Sequence, residues 1–156
     1  MMKREEAIQQ AMTYAGEGLL CVEAVLKTLA EMKGVESEYI PAIASGLAAG
    51  VARTNQICGA VSGAILGLGL WFGRNEPIVS EKKPYWYSKV FIDRWMETHP
   101  DTNCAELLGV RLDDPAEYAE YVEENMWENK CKMYIRDAVE LAYDILVEEG
   151  VYPVGA

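Results

Sequence analysis

The chain has 156 residues, 51% of them apolar, and its 25 acidic against 14 basic side chains give a net charge of −11. That length and apolar share fit one domain over residues 1–156 with a core of its own, and exclude a disordered chain. An acidic surface without a basic patch excludes nucleic acid and an anionic membrane surface as partners.

Apolar residues recur at helical spacing almost throughout. Lys3 to Tyr14 reads as a first helix, and Leu19 to Met32 as a second with Cys21, Val25, Leu29 and Met32 on one stripe. Ser37 is expected to cap a third helix reaching about Ala49. Asn55 opens a fourth that runs to Phe72, where Gly73 ends it. Asn75 to Lys83 reads as a loop, and Pro84 starts a fifth helix that stops near His99, ahead of Pro100. Asn103 opens a short sixth, with Glu106 at the capping-box position and Gly109 as its stop. Asp114-Pro115 starts a seventh, because proline is tolerated at the first helical position. The last, from about Lys130 to Glu149, places Cys131, Ile135, Ala138, Ala142 and Ile145 on one face.

Strand signals are nearly absent, so the expected class is all-α: an irregular helical bundle of about seven or eight helices in a single domain. The longest uncharged run, Ile57 to Phe72, is about 16 residues against the roughly 20 a spanning helix needs, and reads as a buried core helix rather than a membrane insertion. The stretch Met1 to Gln10 lacks the apolar centre of a secretory signal. A cytoplasmic location with reduced thiols is the expectation.

The cysteines draw attention next. Cys21 follows Gly16 and Gly18, Cys58 follows Thr54 and Asn55, Cys104 follows Asn103, and Cys131 follows Asn129. Each thiol is therefore expected in the first turn of a helix, where the partial positive charge favours thiolate. Cys58 in particular is expected to ionise below the free value of about 8.5. No Cys-x-x-Cys occurs, so neither a zinc ribbon nor a thioredoxin-type dithiol is visible. A four-thiolate site for zinc or an iron–sulfur cluster would be assembled from four separate helices. The plainer alternative is four buried cysteines acting as small hydrophobes.

Gly59, Gly63 and Gly67 recur every four residues and line one helix edge. Each interior glycine costs about 1 kcal/mol against alanine, so close backbone approach must offset it. The neighbour is either another helix or a cofactor beside Cys58, and the two are compatible. His99 is expected as a C-terminal cap, and Glu120, Glu123, Glu124 and Glu128 as a solvated face without the Glu-x-x-His pairs of a di-iron site. Tyr85, Trp86, Tyr87, Phe91 and Trp95 read as core or subunit interface, which leaves a homo-oligomer open. Met96, Met126 and Met133 read as packing.

Cys58-Gly59-Ala60-Val61-Ser62-Gly63 reads Cys-Gly-Ala-x-x-Gly. Ahead of it lies Cys21-Val22-Glu23-Ala24-Val25, and behind it Asn103-Cys104-Ala105-Glu106-Leu107-Leu108-Gly109, with Cys131 opening the last helix. On these residues, from about Gly16 to Leu146, the chain resembles a family of small proteins described as redox-active and marked by four cysteines. Leu20 stands where that family usually has Asn, and Ser45 to Gly50 holds fewer glycines than usual. The resemblance implies redox activity or a prosthetic group such as an iron–sulfur cluster, and a partner among oxidoreductases or transporter components. The expected site is Cys21, Cys58, Cys104 and Cys131 as metal ligands, with Gly59 and Gly63 beside the cofactor. A metal-free thiol–disulfide oxidoreductase, with Cys58 and Cys21 as catalytic residues, is one alternative. A non-catalytic helical interaction subunit with structural cysteines is the other.

Overall fold

Helical periodicity yields eight helices, and no strand occurs among the described residues, 1–154, of this computed structural model. They are α1 (Arg4–Gly16), α2 (Cys21–Lys33), α3 (Ala48–Arg53), α4 (Gly59–Phe72), α5 (Trp86–Thr98), α6 (Cys104–Leu108), α7 (Pro115–Glu123) and α8 (Lys132–Glu148). A 3₁₀ turn, Ala42–Leu47, precedes α3, and a π-helical turn, Trp127–Cys131, runs directly into α8. None of the described helices is long and apolar enough to cross a membrane.

Several boundaries follow from local chemistry. The Asp114 carboxylate accepts from the N–H groups of Ala116 (2.9 Å) and Glu117 (3.0 Å), with Pro115 at the first helical position. Gly109 closes α6 in the left-handed conformation, φ 76°. His99 caps α5 as expected: Nδ1 lies 3.0 Å from the Trp95 carbonyl and Nε2 2.9 Å from Asp137. Glu120, Glu123 and Glu124 are exposed, and Glu128 pairs with Lys132 at 2.7 Å. Phe91 and Trp95 are fully buried, whereas Tyr85 is exposed. Met126 is core, whereas Met96 and Met133 are partly exposed, 44% and 39%, so only Met126 is fully a packing residue.

The most extensive helix contact is α2 against α4, and α8 closes the core over α1, α2 and α4. The glycine edge makes the first contact feasible. A Cβ on Gly63 would stand 2.8 Å from the Val22 carbonyl oxygen and 3.0 Å from Val25 Cβ. On Gly67 it would stand 2.2 Å from Leu29 Cδ1. Gly63 therefore serves helix packing, the first of the two neighbours expected for this edge.

The segment from Ser37 to Asn55 departs from expectation. No helix runs from Ser37 to Ala49: Pro41 has no N–H to donate and restricts Ile40, so only the 3₁₀ turn forms. Ala49, Gly50, Val51 and Ala52 then adopt φ of 57°, 65°, 58° and 56°, a full left-handed turn. Each non-glycine residue there costs about 1–2 kcal/mol. The Thr54 hydroxyl, donating to the Val51 carbonyl at 2.7 Å, and the Gln56 N–H, donating to the Gly50 carbonyl at 3.0 Å, hold it. Asn55 is itself left-handed at φ 63°, so α4 begins only at Gly59.

Replacing Gly63 by Ala should destabilise the fold by about 1–3 kcal/mol, although helix propensity alone would gain about 1 kcal/mol. The added methyl meets a backbone oxygen that cannot move without α2. Denaturant melts of the metal-free protein measure it, and a variant as stable as the parent would contradict the close approach.

Candidate functional site: a thiol-lined cavity

Each cysteine is positioned by a different element. Cys21 is the first residue of α2, Cys58 immediately precedes α4, and Cys104 is the first residue of α6. Cys131 is different: φ −58° and ψ −44° keep it inside a continuous run from the π turn into α8, not in a first turn. Its expected place at a helix start is thus corrected.

Backbone pairing brings two of these sites together. The Cys58 N–H donates to the Thr102 carbonyl at 2.7 Å, and the Cys104 N–H to the Gln56 carbonyl at 2.7 Å. This isolated antiparallel bridge, between Ile57 and Asn103, lashes the start of α4 to that of α6. A third sulfur joins through the glycine edge, for a Cβ on Gly59 would lie 2.2 Å from Cys21 Sγ. Gly50 does the same for Cys104: a Cβ there would be 2.5 Å from Cys104 Cβ, and its φ of 65° disfavours any side chain.

All four cysteines line one cavity of about 250 Å³. Leu107, Leu108 and Leu112 give it apolar walls, and Tyr118, Tyr121, Trp127 and Tyr134 an aromatic side. Gly59 and Ala49 contribute backbone, and Arg53 is the only charged side chain of the lining among the described residues. The Tyr121 hydroxyl lies 3.6 Å from Cys131 Sγ. The Tyr134 hydroxyl is turned away, donating to the Leu107 carbonyl at 2.8 Å.

The sulfurs are not clustered around a point. Among the described residues no group of three or more His, Cys, Asp or Glu is close enough to hold one metal ion. A single tetrahedral zinc, with Zn–S near 2.3 Å, would need its sulfurs within about 3.8 Å of each other. All four thiols are free.

Burial sets their acidity. It pushes the Cys58 thiol up, with Cys21 and Cys104 adding to the effect, and the N–H groups of Ala60 and Val61 at the start of α4 do not overcome it. The expectation of a lowered Cys58 pKa is overturned. Cys21 is also raised by burial, against the opposing N–H groups of Ala49, Val22 and Gly59. Burial and neighbouring Cys131 push Cys104 up to about 12, and burial, partly offset by Tyr121, pushes Cys131 up to about 11. Tyr121 is raised in turn by burial and by Cys131.

Sequence reading missed the aromatic wall and Arg53. The i, i+3 pair Tyr118 and Tyr121 was a usable signal, since that spacing puts both rings on one face of α7. Arg53 had none, because nothing in the sequence announces a left-handed turn.

A helical domain that gathers four free thiols on one internal cavity defines a class of thiol-centred proteins. The chain belongs to the family described as "Putative redox-active protein (C_GCAxxG_C_C)", matched over residues 19–145. That description writes the central motif Gly-Cys-Ala, whereas this chain runs Cys58-Gly59-Ala60; Ala60 and Gly63 keep their places. No curated protein and no solved structure matches the chain.

The raised thiols make stability pH-dependent. The folded state keeps protons that the unfolded chain releases near pH 9, so their contribution is whole below that and is lost as pH rises through about 11 to 12. Denaturant melts of metal-free protein should show a loss of about 1 kcal/mol per thiol between pH 8 and pH 10, and Cys104→Ala should flatten the decline. Tyr121→Phe removes the hydroxyl beside Cys131, and should raise the pH midpoint for alkylation of that thiol. Mass spectrometry of Cys131 labelling against pH measures the shift, and an unmoved midpoint would show the contact to be inert.

Proposed function

We propose that the four thiols together hold one iron–sulfur group and that the protein exchanges electrons with a partner oxidoreductase or transporter component in a reducing, cytoplasmic setting. The observation that carries this reading is that four cysteines from four separate elements face one cavity of about 250 Å³. Thiolate ligands suit soft metals and iron–sulfur clusters. Among the described residues no three of them are close enough to hold one metal ion, so this reading requires a group that spans more than a single ion. When bound, such a group supplies one-electron transfer.

The chain's own residues supply the rest. Cys21, Cys58, Cys104 and Cys131 give up their protons as ligands. The N–H groups of Ala49, Val22 and Gly59 face Cys21, and those of Ala60 and Val61 face Cys58, offsetting thiolate charge. Leu107, Leu108 and Trp127 limit water at the sulfurs.

Anaerobic reconstitution with ferrous iron and sulfide tests it. Iron and acid-labile sulfide should bind in equal amounts with broad visible absorption, and Cys58→Ser or Cys104→Ser should lose most of both. Binding of zinc alone, or of no metal, would reject this reading. A second reading has one support, the placement of Cys21 Sγ against Gly59, next to Cys58. There, Cys58 thiolate attacks a partner disulfide and releases one partner thiol. Cys21 thiolate then attacks the Cys58 sulfur of that mixed disulfide and the second partner thiol leaves, so that a Cys21–Cys58 disulfide forms and the partner disulfide is reduced. Thiol counting after mild oxidation of metal-free protein distinguishes it.

A further inference from the structure

We propose that Arg53 makes the metal-free thiol cavity selective for a small anionic reactant, one bearing a carboxylate or comparable charge. The inference rests on the cysteines sharing an accessible cavity. It does not require that they bind iron. Three observations carry it. Arg53 is the sole charged side chain of the lining among the described residues. Among the described residues no carboxylate pairs with it: the guanidinium donates to the Tyr118 hydroxyl at 2.9 Å and stacks over the Tyr118 ring, 4.0 Å from its centroid. Arg4, Arg94, Arg111 and Arg136, by contrast, are each paired with carboxylates, and Arg74, outside the cavity, donates to the Ile78 carbonyl at 2.9 Å.

The third observation is the backbone. Arg53 has φ 63°, left-handed and unfavourable for a residue with a side chain, at the end of the turn that also lines the cavity with Ala49. Strain of this kind persists only where surroundings over-determine it, and Tyr118 is the contact that fixes the side chain. The rest of the molecule opposes an anion, since the net charge is −11. A low-dielectric cavity with one local cation focuses field at its mouth, so the local sign can win over the global one.

Paired alkylating agents test this. Iodoacetate is anionic and iodoacetamide neutral, and both react by one step. The thiolate sulfur forms an S–C bond, the C–I bond breaks, iodide leaves, and the thiol proton goes to buffer. Dividing the two rates, then normalising to free 2-mercaptoethanol, cancels thiol nucleophilicity and leaves the charge preference of access. In metal-free parent protein at low salt the normalised ratio should exceed one. It should fall with added salt as the screening length shrinks from about 10 Å at 0.1 M to about 3 Å at 1 M. Arg53→Gln should lower the ratio about two- to fivefold, the effect of one charge at several ångströms in an aqueous mouth, while Arg53→Lys keeps it.

A parent ratio below one that rises with salt is what the net negative charge alone would give, and overturns the proposal. Equal ratios in the Gln and Lys variants overturn it too. Thiols that react with neither reagent until the protein unfolds would show that no small molecule reaches them, and would overturn it as well. The salt series uses the parent alone and stands even where a variant does not fold. Failure to bind iron would leave the ratio intact, so the two readings fail separately.

Discussion

Helix α4 approaches α2 so closely that methyl groups on Gly59 and Gly67 would each sit 2.2 Å from the facing side chain. Gly63 and Gly67, inside α4, cost about 1 kcal/mol apiece in helix propensity. Val22, Val25 and Leu29 on the facing helix are fully buried in return, each worth roughly 1.5–3 kcal/mol. Burial wins, and the geometry that results does more than fill the core. It sets the start of α2, and so Cys21, against the residue that follows Cys58. With those two helices fixed, α8 has a floor to pack on, and the π turn leading into it carries Cys131 to the same cavity.

The competition at the sulfurs has a clear winner by magnitude. A helix N-terminus contributes about 0.3–1 kcal/mol, reaching about 2 in favourable sites, which is at most about one and a half pKa units. Burial of an ionisable group moves it by up to about 3–5 units. Cys58 has the N-terminus of α4 beside it and is still pushed up. Position at a helix start is therefore a weak argument for a reactive cysteine when the side chain is in the core, and the sequence contains no direct measure of that depth.

Elements with strong local punctuation were legible: Asp114-Pro115 before α7, Gly109 after α6, and the buried face of α8 through Ile135, Ala138, Ala142 and Ile145. The failures fall where tertiary contacts override local preference. Ala49, Val51 and Ala52 carry no residue-type signal for a left-handed turn; it exists because Thr54 and Gln56 close it and Gly50 fits against Cys104. The glycine edge left two readings open in the sequence, and the structure divides them by residue. Gly59, Gly63 and Gly67 all press on α2, and Gly59, which meets Cys21, also lines the cavity. The cysteines were legible as a set, but their aromatic surroundings from α7 and the π turn were not, because contacts between distant elements have no local pattern.

The cavity's charge economy links these features. With every thiol protonated, Arg53 is the one charge on its lining among the described residues, and the apolar walls tolerate it because Arg53 is solvent-exposed. Ionising the thiols without a cation would set several negative charges in a confined space. Each pair of them repels, and the more strongly the lower the dielectric between them. One guanidinium cannot balance that repulsion. On the iron–sulfur reading proposed above, a cationic core would enter as the protons leave, which would couple its binding to proton release and make affinity climb with pH. The burial that makes these thiols poor free nucleophiles near neutrality therefore weighs on that proposal's side, because a ligand gives up its proton to the metal and not to water.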